Sequence, residues 1–301
     1  MERDRRGDTT PMIGLRNTAV TVMATVYVAA ILCGCGDRQD VVEDPSLRLS
    51  ADTPQPTVVA YKRIDGQELT AHVFLPADWK ATDRRPAYLW LHGGGFVVGS
   101  PEAGYDVAEV VAARGIVGIS VQYRLAVLDV PGTKIDAQIA DAKSIVRWVR
   151  RRAGQLGVDP ERIVGGGHSA GAFLMAAAGI VRAFEDPGDD DVSPVPDALL
   201  LWSAPITLDD PFVPRILPPG VELGDVVPSQ HVRPGLPPSV FIHGSEDRLV
   251  PPTVSIELSA ALRAAGNRSE VRLIPGGDHF FIDPVLREAL LDETVAALGG
   301  L

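Results

Sequence analysis

Cysteine is almost missing from this 301-residue chain: there are two, Cys33 and Cys35, and nothing beyond residue 36 carries a thiol. That excludes disulfides, zinc–thiolate centres and a cysteine nucleophile from the rest of the chain. Positive charge is also in short supply, with 28 Lys and Arg against 39 Asp and Glu and a net charge of −11. Such a balance repels a phosphate backbone and excludes a nucleic-acid-binding role. The six histidines show neither metalloprotease nor zinc-finger spacing, so no metal mechanism is implied. The one long uncharged apolar run, Thr18 to Leu32, is short for a membrane-spanning helix. What remains is 46% hydrophobic and of mixed charge, enough for one large α/β domain with a buried core.

The apolar run has its own meaning. Arg3, Arg5, Arg6 and Arg16 precede it, the order of an export signal. It ends in Leu32-Cys33-Gly34-Cys35, which resembles the lipobox of bacterial lipoproteins, with Cys33 where a small residue is usual. The resemblance implies a signal peptide over 1–34, lipid on Cys35, membrane attachment through that lipid, and residence in a bacterial cell envelope. Asp37 to Pro56 is polar, proline-bearing and without apolar periodicity, so 35–56 is expected to be a flexible tether and 57–301 the folded domain.

Within that domain, Val58-Val59-Ala60-Tyr61 and Ala71-His72-Val73-Phe74-Leu75 flank Asp65-Gly66, a hairpin pattern that predicts an antiparallel N-terminal edge. From Pro86 onward short apolar segments alternate with helical patterns. Strands are expected at 88–91, 117–121, 162–164, 198–202, 240–242 and 271–274. Between 134 and 155, Ile135, Ile139, Ala142, Val146 and Val149 recur at helical spacing and predict a helix with its apolar stripe on the sheet. The fold class is therefore α/β, a mostly parallel central sheet covered by helices on both faces. Glu185 to Asp197 is acidic with three prolines but lacks the ordered ligand spacing of a calcium loop, and reads as solvated surface. Pro205 to Pro238 holds nine prolines between two strands and is expected to form a small substrate-shaping cap.

Three glycine-marked segments carry chemistry. Gly167-His168-Ser169-Ala170-Gly171 follows a strand and opens a helix, so that small residues on either side allow a sharp turn that exposes the Ser169 hydroxyl. Leu91-His92-Gly93-Gly94-Gly95-Phe96 follows another strand. Its glycines allow the backbone N–H groups of Gly93 and Gly94, with that of Ala170, to converge as an oxyanion hole. A serine needs a base and the base an orienting acid. His279, in Gly276-Gly277-Asp278-His279-Phe280, and Asp247, in His243-Gly244-Ser245-Glu246-Asp247, supply them from two later strand ends on the same sheet edge. Glu246 and Asp278 are rival acids beside the chosen residues. His92 and His243 are expected to hold the glycine loop and the acid loop, and His168, whose side chain diverges from the neighbouring Ser169, to have a packing role. His72 and His231 have no motif around them.

Together these segments resemble the H-G-G-G-containing esterase and lipase branch of the α/β-hydrolases, the branch of hormone-sensitive-lipase-like and bacterial acetyl- and feruloyl-esterase-like enzymes. The order Ser169, Asp247, His279 is that family's order. Gln122-Tyr123-Arg124-Leu125-Ala126, Asp141-Ala142-Lys143 through Arg147-Trp148-Val149, and Val158-Asp159-Pro160-Glu161-Arg162-Ile163 are similar to further segments of the branch. Gly165 and Gly166 depart from it, where relatives often have larger residues, and should loosen packing beneath the elbow. The resemblance implies an α/β-hydrolase fold and a cofactor-free acyl-enzyme mechanism on a small-molecule or carbohydrate ester, with short acyl groups favoured by a cap too brief for a full lid. Two other classes stay in view: a serine peptidase related to the prolyl-oligopeptidase catalytic domain, and a non-catalytic hydrolase-like binding module.

Overall fold

A computed structural model describes residues 40–41, 47–52, 55–64, 66–128, 132–186, 192–207 and 213–301. Two compact units divide the chain at Gly36 and Asp37, and the first, which contains Cys35 and the stretch expected to be an export signal, lies outside the described residues. In the second, the strands are β1 (Asp40–Val41), β2 (Thr57–Ile64), β3 (Gln67–Phe74), β4 (Arg85–Leu91), β5 (Val117–Val121), β6 (Val158–His168), β7 (Ala198–Trp202), β8 (Ser239–Gly244) and β9 (Ser269–Ile274). They form one sheet in the order β1-β2-β3-β5-β4-β6-β7-β8-β9. β4 to β9 are mutually parallel, and β1, β2 and β3 close one edge in antiparallel pairs.

The helices are α1 (Tyr105–Ala112), α2 (Ile135–Arg151), α3 (Ala153–Leu156), α4 (Ala170–Ile180), α5 (Leu223–Val226), α6 (Thr253–Ala264) and α7 (Pro284–Gly300). Side chains alternate across the central strands and so feed two cores. Leu199 and Leu201 of β7 join the core under α2 and α4, while Leu200 and Trp202 join the one under α1 and α7. Every residue of β5 is buried, as expected of a parallel strand covered on both faces. All eleven residues of α4 are buried too, because Ala-Gly-Ala-Phe-Leu-Met-Ala-Ala-Ala-Gly-Ile offers no polar face.

The strands and the long helix lie where the sequence predicts them, but three expectations are corrected. Asp40–Val41 pairs with Arg63 and Lys62 of β2, so the ordered chain starts upstream of Thr57 and 35–56 is not a free tether throughout. Gly165 and Gly166 do not loosen the packing. A Cβ on Gly166 would meet the Leu200 carbonyl oxygen at 2.3 Å and the Tyr88 hydroxyl at 2.4 Å, and one on Gly165 the Met175 side chain at 2.6 Å. The missing side chains are replaced by Tyr88 and Met175. The acidic stretch is not wholly solvated either: Glu185 binds Lys143 and Arg147, and Asp186 reaches Lys62, while 187–191 lie outside the described residues.

That last contact belongs to a buried charge cluster. Asp141, inaccessible to solvent in α2, accepts from Lys62 of β2, from the Arg124 backbone N–H at 3.0 Å and from the Arg124 guanidinium at 2.8 Å. It therefore ties the antiparallel edge, the loop after β5 and α2 together. Removing one member of such a group strands the others without compensation. Asp141→Ala is expected to cost about 3–5 kcal/mol of unfolding free energy, read from urea midpoints; a loss within ~0.5 kcal/mol would mean that the cluster is solvated.

Candidate active site

The tight turn at the end of β6 is where the site starts. Gly167 and Gly171 bracket it, and a Cβ on either would lie 2.4 Å or 2.1 Å from the Leu91 carbonyl oxygen of β4. Only glycine permits this approach of α4 to β4. Ser169 sits between them at φ 51° and ψ −120°, a conformation that L residues seldom adopt. Its backbone N–H donates to the Trp202 carbonyl at 2.9 Å and its own carbonyl accepts from Phe173 at 3.0 Å, so the strained residue is held from both sides.

His279 and Asp247 come from the ends of β9 and β8. Their loops are joined directly: Glu246 N–H donates to the Gly277 carbonyl at 2.9 Å and Gly276 N–H to the Ser245 hydroxyl at 2.9 Å. His279 Nδ1 lies 2.7 Å from Asp247 Oδ2 and its Nε2 3.0 Å from Ser169 Oγ. A carboxylate can only accept, so Nδ1 carries the proton and Nε2 is left to accept from the serine hydroxyl. Asp247 Oδ1 accepts from the N–H groups of Leu249 and Val250 at 3.0 and 2.8 Å. His243 Nε2 lies 3.2 Å from Oδ2 and also donates to the Val250 carbonyl at 2.9 Å. Burial alone would raise the Asp247 pKa, but hydrogen bonds from His243, His279 and Val250 outweigh it and hold the carboxyl well below the usual carboxylate range. Of the rival acids, Glu246 is exposed, and Asp278 is exposed and accepts from the N–H groups of Phe280 and Phe281.

The glycine loop faces Ser169 from β4. A Cβ on Gly93 would stand 2.8 Å from His168 Nδ1 and 3.3 Å from Ser169 Cβ, and Gly94 has a φ of 124° that a side chain would strain. Among the described residues the N–H groups of Gly93, Gly94 and Ala170 have no acceptor. His92 donates from Nδ1 to the Gly93 carbonyl at 2.7 Å, and its ring stacks on Tyr123, whose hydroxyl donates to the His92 carbonyl at 2.9 Å. The Tyr123 of the Y-R-L-A segment thus braces the loop. His72 and His231 stand apart, bonded to Thr70 and Tyr105 and to the carbonyls of Gly224 and Asp225 respectively.

A cleft of about 730 Å³ opens over Ser169. Phe96, Pro205, Val213, Leu249, Val254 and Phe280 give it an apolar wall, so the start of the proline-rich connection does shape it. Residues 208–212 of that connection lie outside the described residues.

The comparisons agree with this architecture. Residues 88–216 match a family model described as the alpha/beta hydrolase fold. The apo form of Thermogutta terrifontis esterase 2 is 34% identical with a TM-score of 0.76, over 84% of this chain and 97% of that one. The chain belongs to the α/β-hydrolase fold family, in its H-G-G-G-type esterase and lipase branch. Esterase LipC of Mycobacterium tuberculosis is 31% identical over 66% of this chain, and Secreted lipase 5 of Gibberella zeae 30% identical over 46%. The chain spans 54% of the length of the first and 25% of the second.

Sequence reasoning underestimated one residue of this α/β-hydrolase. His168 was expected only to pack, yet its Nε2 donates to the His279 carbonyl at 2.8 Å while Nδ1 faces Gly93. Its ring therefore spans from the base loop to the glycine loop; the only sequence signal was a polar side chain next to the elbow serine. Burial, and then the nearby His279, lower its pKa from 6.5 to about 4. A histidine that stays neutral in the fold destabilises it as pH falls, since the unfolded chain takes up the proton first. Between pH 6.5 and about 4 this loss reaches about 2–3 kcal/mol, allowing for partial contact with the cleft. Comparing urea midpoints of wild type and His168→Gln across that range should show the gap change by this amount, and a pH-independent gap would mean that the imidazole titrates normally.

Proposed function

We propose that this protein is a carboxylic ester hydrolase working through an acyl-enzyme, with Ser169 as nucleophile, His279 as general base and Asp247 as its orienter. The observation that carries the proposal is the Ser169–His279–Asp247 relay, with links of 3.0 and 2.7 Å under an apolar cleft. Ser169 Oγ attacks the ester carbonyl carbon as its proton passes to His279 Nε2. The carbonyl oxygen becomes an oxyanion facing the free N–H groups of Gly93, Gly94 and Ala170, each such donor being worth ~2.7–4 kcal/mol in the transition state. Collapse breaks the bond to the alcohol oxygen, which leaves with the proton from His279. Water then enters, gives its proton to the same nitrogen and releases the acid, restoring Ser169.

The cleft lining supports an uncharged, apolar substrate with a short acyl group. Among the described residues the lining contains no Asp, Glu, Lys or Arg, and Thr207 is its one polar side chain apart from His168, Ser169 and His279. Recognition of a sugar would need several polar side chains there. Propionate-bound and butyrate-bound forms of Thermogutta terrifontis esterase 2 point to the same acyl range. With nitrophenyl esters of rising chain length, hydrolysis should peak at short acyl groups, and acetylated or feruloylated sugars should react slowly. A preference for the sugar esters would overturn the substrate reading. Ser169→Ala should lower kcat by a factor on the order of 10⁶, and Asp247→Asn by about 10⁴ through a mis-set histidine tautomer. If Glu246→Gln had the larger effect, the acid would be one position away.

The proposal extends to location: export, followed by lipid attachment at Cys35. The leader composition and the Leu32-Cys33-Gly34-Cys35 sequence support it. Incorporation of a labelled lipid precursor should vanish in Cys35→Ser; retention of the label would exclude that attachment point.

A further inference from the structure

Gln138 is a buried polar side chain that the ester chemistry does not use. It lies in the first turn of α2 and is inaccessible to solvent. Its Nε2 stands 2.7 Å from the Phe96 carbonyl oxygen and 2.7 Å from that of Arg124. Both partners can only accept, so the amide turns its NH₂ group toward them, one hydrogen for each. Among the described residues no donor reaches its Oε1. An unpaired buried oxygen opposes folding, so a glutamine at this position points to a use for the two hydrogens. The Arg124 peptide is gripped from its other side as well, since Asp141, one helical turn further along α2, accepts from its N–H at 3.0 Å. The segment after β5 is thereby fixed against α2, and Gln138 carries that position across to Phe96.

Phe96 needs such a hold. It follows Gly94 and Gly95, at φ 124° and 56°, and itself has a φ of 71°. Glycine tolerates that region, whereas phenylalanine stays there only where its surroundings enforce it. Gln138 Nε2 and the Ala126 N–H, the latter at 2.8 Å, both donate to the Phe96 carbonyl, and the Phe96 ring stands edge-on to Phe173 of α4 with 5.5 Å between centroids. Phe96 forms part of the cleft wall, and Gln138 does not line the cleft. The same end of α2 holds a second part of the wall: Ile135 N–H donates to the Ile216 carbonyl at 3.0 Å, three residues beyond Val213.

Sheet order indicates which part of an ester meets Phe96. The loop that bears Phe96 leaves β4, on one side of β6 and Ser169, and the loop that bears His279 leaves β9, on the other. The departing alcohol takes its proton from His279 Nε2 and so lies on the β9 side. The acyl chain is left to the side of Phe96.

We propose that Gln138 is a positioning residue for substrate selection: by holding the Phe96 backbone at positive φ, it fixes the ring that limits acyl-chain length. The inference rests on the esterase reading and adds to it the group that sets the acyl range.

The test compares kcat/KM for nitrophenyl butyrate and nitrophenyl octanoate in the wild type, Gln138→Met, Phe96→Ala and the double variant. Methionine keeps the length of the side chain and loses both donors. Gln138→Met should raise the octanoate-to-butyrate ratio about tenfold or more, the change lying in the KM for octanoate. Phe96→Ala should raise the ratio at least as far, and in that background Gln138→Met should add nothing to it. A glutamine that only stabilised the fold would lower both esters alike, so an unchanged ratio in either single variant overturns the proposal. Where Gln138→Met does not fold, Gln138→Asn, whose shorter amide cannot span both carbonyls, takes its place in the comparison. Between the butyrates of ethanol and of octanol, preference should be the same in wild type and variant. A shift there would put the alcohol against Phe96 and overturn the assignment. No hydrolysis of any ester by the wild type would overturn both readings, and an unchanged ratio only this one.

Discussion

The approach of α4 to β4 is the constraint on which the rest depends. The Leu91 carbonyl oxygen lies so close to Gly167 and Gly171 that no side chain fits at either position, and the chain must turn within the three residues between them. That turn places Ser169 at a positive φ, and the cost, of order 1–3 kcal/mol, must be offset by its surroundings. The fully buried α4, the Trp202 carbonyl and the Phe173 N–H supply that offset. Leu91 is also the last residue before the glycine loop, so one close contact sets the spacing between the serine and the N–H groups that face it.

Around this fixed point the site is held by backbone groups more than by side chains. The acid loop is tied to the base loop through Glu246 N–H and Ser245, the base loop to the elbow through His168, and the glycine loop to the strand-end segment through Tyr123. Each tie uses a main-chain carbonyl or N–H on at least one side, so it constrains the path of the chain. Asp247 meets four donors and is left with almost no freedom. Positioning of this kind keeps the serine, imidazole and carboxylate within hydrogen-bond reach before any substrate arrives.

Much of this could be read in the sequence because glycine spacing and strand order are local signals. The elbow, the glycine loop, the two later loops and the parallel strands all announce themselves within a few residues. What could not be read depends on distant partners. Gly165 and Gly166 looked like a loss of packing because Tyr88 and Met175, which fill the space, come from another strand and from a helix. Glu185 and Asp186 looked solvated because their cations lie on α2 and β2. The two residues of β1 have no periodicity, and only their partners in β2 make them a strand. His168 reads as a packing residue because its acceptor is the backbone of a residue 111 positions away.

The same division bears on specificity. Ser169 sits at the end of β6, inside the nine-stranded sheet, whereas the proposed acid and base, Asp247 and His279, lie in the loops after β8 and the edge strand β9. The cleft walls come mostly from the connections after β4, β7, β8 and β9. The position of Ser169 and the shape of the cleft are thus set by different elements. Changes in the proline-rich connection or around Phe280 can alter what enters the cleft without disturbing Ser169, because the contact that positions Ser169, between Leu91 and the two glycines, involves neither.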